Sequence, residues 1–438
     1  MEQKSIIEQI LEETKSHVTD SIKNLGLEFN PFPRSGIADS NTPDEIMESL
    51  SPIHQETLSA IIGFVKDSLF NKNPKEIDPY LSLIIRGDYG TGKTQTLFYI
   101  RWLLKSFKGQ NNVNPYVVYI DNPGTKLSEL IGSIINEIGQ ENFKRYLWDV
   151  FLSQLKKNES LLEQLKSIAK KTTPSLFPQE TSNLTISEYV SYKIFVDDLY
   201  KGSDAKKKRE IQDALKVAIV KSFEEIAPNT SVALYFYDLV ADNIGINKTW
   251  DLLTTGALKD IDKREFYILK AIVETVKGLG YTDFIILADE FEEITAGRLQ
   301  KTEVDNYLRN LRTLIDKEKN WCAVFAMTGK ALAMIEQFSP PLAGRIKGRI
   351  IDLKPLNAET AKILITNYLN LARNNSDSIY PFEDSAISTL LEVGYTEGSP
   401  RLLLKYCYLL IQRAKDEIQG DSVINTEFVK RFVKPIDK

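Results

Sequence analysis

A glycine-rich segment of eight residues constrains this chain more than any other feature of its sequence. The segment consists of Gly87, Asp88, Tyr89, Gly90, Thr91, Gly92, Lys93 and Thr94. It matches G-x-x-x-x-G-K-[ST], the phosphate-binding loop also called Walker A. An apolar run at residues 81–85 precedes the loop, and a segment with apolar residues at helical spacing follows it. The sequence therefore predicts a strand, a phosphate loop and a helix in succession.

Each residue type in this loop suits the binding of a nucleoside triphosphate. Glycines let the backbone turn its N–H groups toward phosphate, and the helix N-terminus adds partial positive charge. We expect Lys93 to reach the β- and γ-phosphates and the Thr94 hydroxyl to ligate Mg²⁺. A chance match in a flexible glycine turn is the alternative, but the flanking strand and helix favour a nucleotide site. ATP and Mg²⁺ are the predicted cofactors.

A phosphate loop of this kind needs a second strand that ends in an acidic residue. Residues 284–288 form an apolar run of β-forming type, and Asp289 and Glu290 follow it directly. Asp289 is predicted to hold Mg²⁺, and Glu290 to be the base that polarises the attacking water. A solvated acidic turn is the alternative. The pair predicts an ATPase, and we expect Glu292 and Glu293 to lie on the surface or at a neighbouring subunit.

The apolar runs predict a parallel α/β sheet that a long helical insertion interrupts. The insertion covers about residues 127–275, is rich in Leu, Lys and Glu, and contains one candidate strand at 232–237. Everything after Pro355 reads as helical. The predicted strands are residues 81–85, 116–120, 284–288, 322–327 and 350–353.

Three domains are predicted from these patterns. They are an N-terminal helical segment at 1–75, an α/β ATPase core at 76–355 that contains the insertion, and a helical lid at 356–438. Residues 1–30 predict an amphipathic helix ending near Gly26, and residues 52–70 predict another helix. Between them, Asn30-Pro31-Phe32-Pro33 cannot be helical, because proline lacks the N–H group and clashes with the preceding turn.

Composition is that of an ordinary globular protein, with 42% hydrophobic and 26% charged residues among 438. No run of 18 apolar residues and no signal peptide is present, so we expect a cytoplasmic protein with no membrane partner. Cys322 and Cys407 lie in separate apolar runs and are expected to be buried rather than paired. The net charge of −5 is not that of a nucleic-acid binder, so any DNA contact would need a local basic cluster.

The order of these motifs resembles that of the AAA+ ATPases. The resemblance implies a P-loop NTPase fold with a parallel sheet core, a long helical insertion and a C-terminal helical lid. Thr328, at the end of the 322–327 run, resembles the sensor 1 residue that contacts the γ-phosphate or the attacking water; an ordinary turn threonine is the alternative. Gly398-Ser399-Pro400-Arg401 resembles the sensor 2 motif, which implies that Arg401 reaches back to the nucleotide. A plain helix start would look the same.

The resemblance also implies an arginine that acts on a neighbouring subunit. Residues 342–349 contain Arg345 and Arg349 just before a predicted strand. In AAA+ proteins an arginine in this region reaches the neighbour's γ-phosphate, a task that suits a guanidinium because it stays charged and binds phosphate bidentately. Arg345 is the first candidate and Arg349 the second, and a solvated basic loop is the alternative. A homo-oligomer is therefore expected.

Within AAA+, the arrangement is most similar to the origin-recognition and Cdc6-like initiators and to the transposition regulators. Asn30-Pro31-Phe32 upstream of the phosphate loop belongs to that likeness. Residues 250–328, with Trp250 and Thr328-Gly329 at their ends, also resemble the ATP-binding proteins of BREX-type phage-defence systems. The AAA+ likeness covers about residues 80–410. Two departures are the insertion and the end of the chain at Lys438, so we expect no winged-helix DNA-binding domain after the lid.

Two hypotheses for the biological role stay open. The first is a nucleotide-dependent oligomeric switch that assembles on double-stranded DNA or with a DNA-processing or phage-defence partner. The second is a signalling ATPase of the STAND type, whose insertion docks a protein partner without DNA. Glu290 and the helical lid argue against a small-molecule kinase. Candidate DNA contacts, each of which also fits a solvated helix face, are Lys156, Lys157, Lys170, Lys171, Lys206, Lys207, Lys208, Arg209, Lys430, Arg431 and Lys434.

Overall fold

A computed structural model describes the larger part of the chain. The described residues are 22–36, 42–71, 81–157, 160, 163, 191–200, 203–241, 246–255, 264–295, 300–373, 378–393, 398–417 and 423–433. The strands are β1 (Leu81–Arg86), β2 (Pro115–Ile120), β3 (Asp283–Ala288), β4 (Cys322–Met327) and β5 (Ile350–Asp352). The helices before the insertion are α1 (Asp44–Ser49), α2 (Gln55–Leu69) and α3 (Lys93–Ser106).

The insertion and the segments after it add fourteen further α-helices to the described residues. Those of the insertion are α4 (Leu127–Ile138), α5 (Gln140–Lys157), α6 (Tyr192–Tyr200), α7 (Ala205–Ile226), α8 (Thr230–Ala241), α9 (Ile246–Thr255) and α10 (Arg264–Gly278). Those after β3 are α11 (Lys301–Lys317), α12 (Gly329–Phe338), α13 (Pro340–Ile346), α14 (Ala358–Leu369), α15 (Asp384–Val393), α16 (Pro400–Glu417) and α17 (Thr426–Phe432).

The five strands form one parallel sheet in the order β2-β3-β4-β1-β5. Arg86, the last residue of β1, lies opposite Met327 of β4 and Asp352 of β5. Because parallel strands end at the same edge of a sheet, the loops after β1, β3 and β4 meet there. All five predicted strands and their parallel arrangement are confirmed.

Side chains that alternate along the strands give the sheet two apolar faces. Ile84, Val118 and Ile286 face the insertion, whose buried side chains form one continuous core with this face of the sheet. Leu83, Ile85 and Leu287 face the opposite side and pack against α2 and α3. The insertion is therefore a helical layer built on the sheet.

The described residues of the insertion are largely helical, as predicted, but the candidate strand at 232–237 is wrong. These residues lie within α8. The buried residues of α8 recur at helical spacing and meet other helices of the insertion; they include Val232, Ala233, Phe236, Tyr237 and Val240. Short apolar runs cannot be assigned by periodicity alone, and here packing among helices decided the outcome.

Asn30 and Phe32, which precede the phosphate loop in the sequence, pack against the lid, which contains helices α14 to α17. The Phe32 ring stacks on Tyr368 at a centroid distance of 5.8 Å and meets Phe382 edge-on at 6.1 Å. The Asn30 side chain accepts a hydrogen bond from the Phe32 N–H at 3.2 Å and donates one to the Tyr408 carbonyl at 3.1 Å. The Asn-Pro-Phe motif thus ties the chain to the lid.

Most of the helix predicted for residues 1–30 falls on residues 1–21, which lie outside the described part. The described portion contains a 3-10 turn, Lys23–Leu25, which ends at Gly26 in the left-handed conformation (φ 68°). Cys322 and Cys407 are buried, as expected. No helix in the described ranges is long and apolar enough to cross a membrane.

We expect Phe32→Ala to lower the free energy of unfolding by about 3–5 kcal/mol, because it removes a buried ring and leaves a cavity in the lid core. Phe32 is 3% exposed. Phe29→Ala is the matched control, since Phe29 is 46% exposed and its loss should cost no more than about 0.5 kcal/mol. Denaturant unfolding of both variants measures the difference, and equal losses would contradict the proposed anchoring role of Phe32.

Candidate nucleotide-binding site

The phosphate loop lies between the end of β1 and the start of α3, as predicted. Gly90 and Gly92 adopt φ angles of +77° and +98°, which glycine reaches without steric cost. A Cβ atom on Gly90 would also lie 2.6 Å from the Ser399 hydroxyl of the lid. Gly92 directly precedes the first residue of α3, so the helix N-terminus opens toward the loop.

The Lys93 side chain folds back over the phosphate loop. Its Nζ donates to the carbonyl oxygens of Gly87 at 3.1 Å and Asp88 at 3.4 Å. The ammonium lies 5.3 Å from the centre of the Tyr89 ring, which is 77% exposed at the tip of the loop. Lys93 itself is buried. The loop thus holds one buried cation at the place where its glycines turn.

The loop meets the acidic end of β3 directly. The Thr94 hydroxyl donates to Asp289 Oδ2 at 2.6 Å, and the Tyr119 hydroxyl donates to the same oxygen at 3.2 Å. Burial, and then the nearby Asp289 carboxylate, raise the pKa of Tyr119 and keep its hydroxyl protonated as a donor. Asp289 is 3% exposed. Two residues predicted to ligate Mg²⁺ are therefore in contact.

A hydroxyl and a carboxylate are hard oxygen donors of the kind that Mg²⁺ prefers. Across the described residues, no group of three His, Cys, Asp or Glu side chains could hold a metal ion by itself. Thr94 and Asp289 fit a magnesium ion that takes its remaining ligands from phosphate and water, as this ion usually does.

Glu290 follows Asp289 in an unusual backbone conformation. Its φ angle is +48°, in the left-handed region that non-glycine residues rarely adopt. Its N–H donates to Asp289 Oδ1 at 2.9 Å, which helps to hold this conformation. Desolvation raises the pKa of the Glu290 carboxyl, and the charges of Asp289, Glu292 and other nearby acids raise it further. A raised pKa suits a general base.

Glu292 differs from its prediction as a surface residue. It is 6% exposed, and its Oε1 lies 3.4 Å from Lys93 Nζ. It belongs to a 3-10 turn, Phe291–Thr295, in which residues three apart share one side. Its burial depends on how this turn packs against the core, and no local pattern in the sequence indicates it.

The lid touches the phosphate loop. The Arg401 N–H and the Ser399 hydroxyl both donate to the Gly90 carbonyl, at 3.3 and 3.2 Å. Arg401 lies in the first turn of α16 after Pro400, and its side chain lies against Gly90. A Cβ atom on Gly36 would lie 2.1 Å from the Arg401 carbonyl oxygen, so the N-terminal segment also closes on this point.

Two predicted site residues do not line the same space. Thr328 follows β4, and its hydroxyl oxygen accepts from the Ala331 N–H at 3.2 Å, which caps the N-terminus of α12. Arg345, on α13, pairs with Asp316 at 2.7 Å. The Arg345 carbonyl accepts from Ser82 at the start of β1, on the edge of the sheet opposite the phosphate loop.

Arg349, the second candidate for the arginine that acts on a neighbour, is held within its own subunit. Its guanidinium pairs with Asp67 of α2. A Cβ atom on Gly63, also in α2, would clash with the same guanidinium. Arg349 thus has a structural role between α2 and β5.

The phosphate loop, the acidic residues after β3 and the lid line a cavity of about 990 Å³. Its polar lining includes the phosphate loop, Asp289, Glu290, Glu292 and, from the lid, Arg401. Its apolar lining includes Leu50, Ile53, Leu356, Leu364, Tyr368 and Leu404. A concave site lined by apolar residues and a few convergent polar groups is typical of small-molecule binding.

The sheet order, the loop after β1, the acids after β3 and the lid after β5 define the class of protein. It is a parallel α/β core with a phosphate loop after β1, a helical insertion and a helical lid. The predicted fold class is confirmed.

No family model and no curated protein matches the sequence. Solved structures of the Aeropyrum pernix ORC2 protein resemble it in fold. The ADPNP-ADP complexes have a TM-score of 0.44 at 11% identity, over 86% of this chain and 66% of that one. The ADP form has a TM-score of 0.40 at 12% identity, over 89% and 67%. The chain spans about two thirds of the length of that protein. The likenesses to transposition regulators and BREX proteins stay predictions.

Proposed function

We propose that this chain binds ATP with Mg²⁺ and hydrolyses it. The contact between the Thr94 hydroxyl and Asp289 Oδ2, beside the phosphate loop, is the observation that carries the proposal. Lys93 would bind the β- and γ-phosphates, and Thr94 and Asp289 would hold the metal ion, which neutralises phosphate charge. Glu290 would take the proton of the attacking water.

The apolar and polar lining residues of the cavity suit the adenine and the phosphates of ATP. The adenine ring would lie against the apolar wall near Tyr368 and Leu404, between the N-terminal segment and the lid. The triphosphate would then run along the loop toward Glu290. Arg401 at the lid side would contact phosphate and couple hydrolysis to lid movement. Thr328 keeps its hydroxyl hydrogen available as a donor, because its oxygen is the atom used in the helix cap.

We expect Asp289→Asn to lower Mg²⁺-dependent release of phosphate from ATP by at least about 100-fold, because it weakens the hold on a metal ion whose stabilisation of transition-state charge is worth several kcal/mol. Binding of ATP in the presence of a chelator should change little. The control is Asp352→Asn at the end of β5, where the carboxylate pairs with Arg86 outside the cavity. Equal losses in both variants would contradict the assignment of Asp289.

We further propose that ATP binding drives assembly of an oligomeric switch on DNA or with a DNA-processing or phage-defence partner. We also propose that the chain is divided into the three domains predicted from its sequence. The order of the motifs supports the proposed assembly. Arg345 also supports it, because this side chain lies too far from the phosphate loop of its own subunit to contact the nucleotide there. Lys170, Lys171 and Lys434 fall outside the described residues. The exposed basic residues among the candidates are Lys156, Lys157, Lys206, Lys208, Arg209, Lys430 and Arg431.

One observation favours the alternative, a signalling ATPase whose insertion docks a protein. The basic residues of α7 share its exposed surface with Glu210 and Asp213, which weakens any field that would attract DNA. Light scattering on a sizing column, using Glu290→Gln with ATP and Mg²⁺, separates the two. An ATP-dependent oligomer that takes up duplex DNA supports the DNA-assembled switch. A monomer or dimer that ignores DNA supports the signalling ATPase.

A further inference from the structure

The phosphate-loop lysine has a carboxylate partner that the proposed reaction does not use. Lys93 Nζ contacts three protein oxygens, which are the carbonyls of Gly87 and Asp88 and the Oε1 of Glu292. The contacts with the two carbonyls are hydrogen bonds, and the contact with Glu292 is an ion pair at 3.4 Å. Any phosphate bound at this loop must share or replace one of these contacts.

Glu292 is held rigidly in this position. Its carbonyl accepts from the Thr295 hydroxyl at 3.0 Å, which closes the 3-10 turn. Phe291, the residue before it, is fully buried and packs on Phe325 at a ring-centroid distance of 4.7 Å. The turn therefore cannot swing out without disrupting the core, and the Glu292 carboxylate stays at the wall of the cavity.

The second oxygen of this carboxylate is the unexpected feature. Glu292 Oε2 is buried and has no hydrogen-bond partner among the described residues. A buried carboxylate is costly unless it is paired and hydrogen-bonded, so the contact with Lys93 is its main compensation. The two side chains are 9% and 7% exposed, which leaves little water to screen them.

We propose that Glu292 is a built-in competitor for phosphate at Lys93 and thereby sets the affinity for nucleotide. A carboxylate and a phosphate are both oxygen anions, and each prefers the same ammonium. When a polyphosphate is bound, the fixed negative charge of Glu292 repels it. The same charge also offsets part of the attraction between the Lys93 ammonium and the phosphate. Glu292 thus stabilises the phosphate loop and lowers its affinity for nucleotide. This inference rests on the proposed nucleotide site.

Glu292→Gln removes the charge and keeps the size and shape of the side chain. We expect it to lower the Kd for ADP with Mg²⁺ about tenfold, which corresponds to about 1.4 kcal/mol. The same variant should melt at a lower temperature without nucleotide, because it leaves a buried ammonium without its anion. ADP should then raise its melting temperature more than it raises that of the wild type.

Titration calorimetry with ADP and Mg²⁺, together with thermal unfolding, tests this. Glu293→Gln is the matched control, since it removes the same charge from the next residue of the same turn. Its Kd should stay within about twofold of the wild-type value, because a more distant charge is more strongly screened. If Glu292→Gln does not fold, Glu292→Asp withdraws the carboxylate from Lys93 and should give a smaller gain in affinity.

The outcomes separate this inference from the proposed function. If the wild type and Glu293→Gln bind ADP but Glu292→Gln or Glu292→Asp binds it no more tightly, competition is refuted and the nucleotide site stands. Weaker binding in those variants would make Glu292 a residue that positions Lys93, which also overturns the inference. Absence of ADP binding in the wild type would overturn both.

Discussion

Glu290→Gln is expected to lower the turnover of ATP by about 100-fold or more while ATP stays bound. The change removes the group proposed to accept a proton from water, and general bases contribute about 10²–10⁴ to rates. The contacts of Lys93, Thr94 and Asp289 remain, so affinity should be kept. Steady-state phosphate release and direct ATP titration measure the two effects separately.

The matched control for this prediction is again Glu293→Gln, which should retain turnover. Glutamine has the same length as glutamate and can keep the hydrogen bond from its own N–H to Asp289, so the left-handed turn should persist. The raised pKa of Glu290 gives a second readout. Only the deprotonated Glu290 carboxylate can accept a proton, so wild-type activity should fall as the pH decreases. Because the pKa of Glu290 is raised, this fall should occur at pH values above about 4.3, the ordinary pKa of glutamate. Normal turnover by Glu290→Gln would refute its role as the base.

Arg345→Ala is expected to be inactive when pure, with a loss of about 10³-fold or more, and to regain activity when mixed with Glu290→Gln. Arginines that act across an interface contribute about 10³–10⁵ to hydrolysis. Arg345 lies at the sheet edge opposite the phosphate loop, so it could serve only the site of another copy. In a mixture, Glu290→Gln supplies the arginine and Arg345→Ala supplies the intact base.

The contact between Arg345 and Asp316 requires its own control. Arg312 also pairs with Asp316, at 3.5 Å, so Arg312→Ala and Arg345→Ala each remove one of the two arginine partners of Asp316. Arg312→Ala should remain active if the loss in Arg345→Ala comes from catalysis and not from the weakened pairing of Asp316. Phosphate release is measured in mixtures of the two variants over a range of ratios, and it reports the activity of sites formed between one copy of each variant. Full activity of Arg345→Ala alone would remove the proposal that this arginine acts on a neighbour.

Sequence alone located the phosphate loop, the acidic pair after β3 and the five strands. Each of these is a local pattern over four to eight residues, in which the residue types needed for a turn, a buried strand or a phosphate contact recur at fixed spacing. The parallel sheet also followed, because strands separated by helices can pair only through crossover connections. The choice of Arg401 came from the resemblance of Gly398-Ser399-Pro400-Arg401 to a sensor 2 motif, and its role stays a prediction.

Only the tertiary structure decided how these local elements meet. Tyr119 reaches Asp289 across 170 positions, and Asn30 binds the Tyr408 carbonyl across 378. The contact of Glu292 with Lys93 depends on how deeply one short turn is buried, and the helical state of residues 232–237 depends on the helices around it. These outcomes reflect packing between segments distant in sequence, and no local pattern carries that information. The local sequence therefore determined which functional groups are present, and tertiary packing determined which of them are in contact.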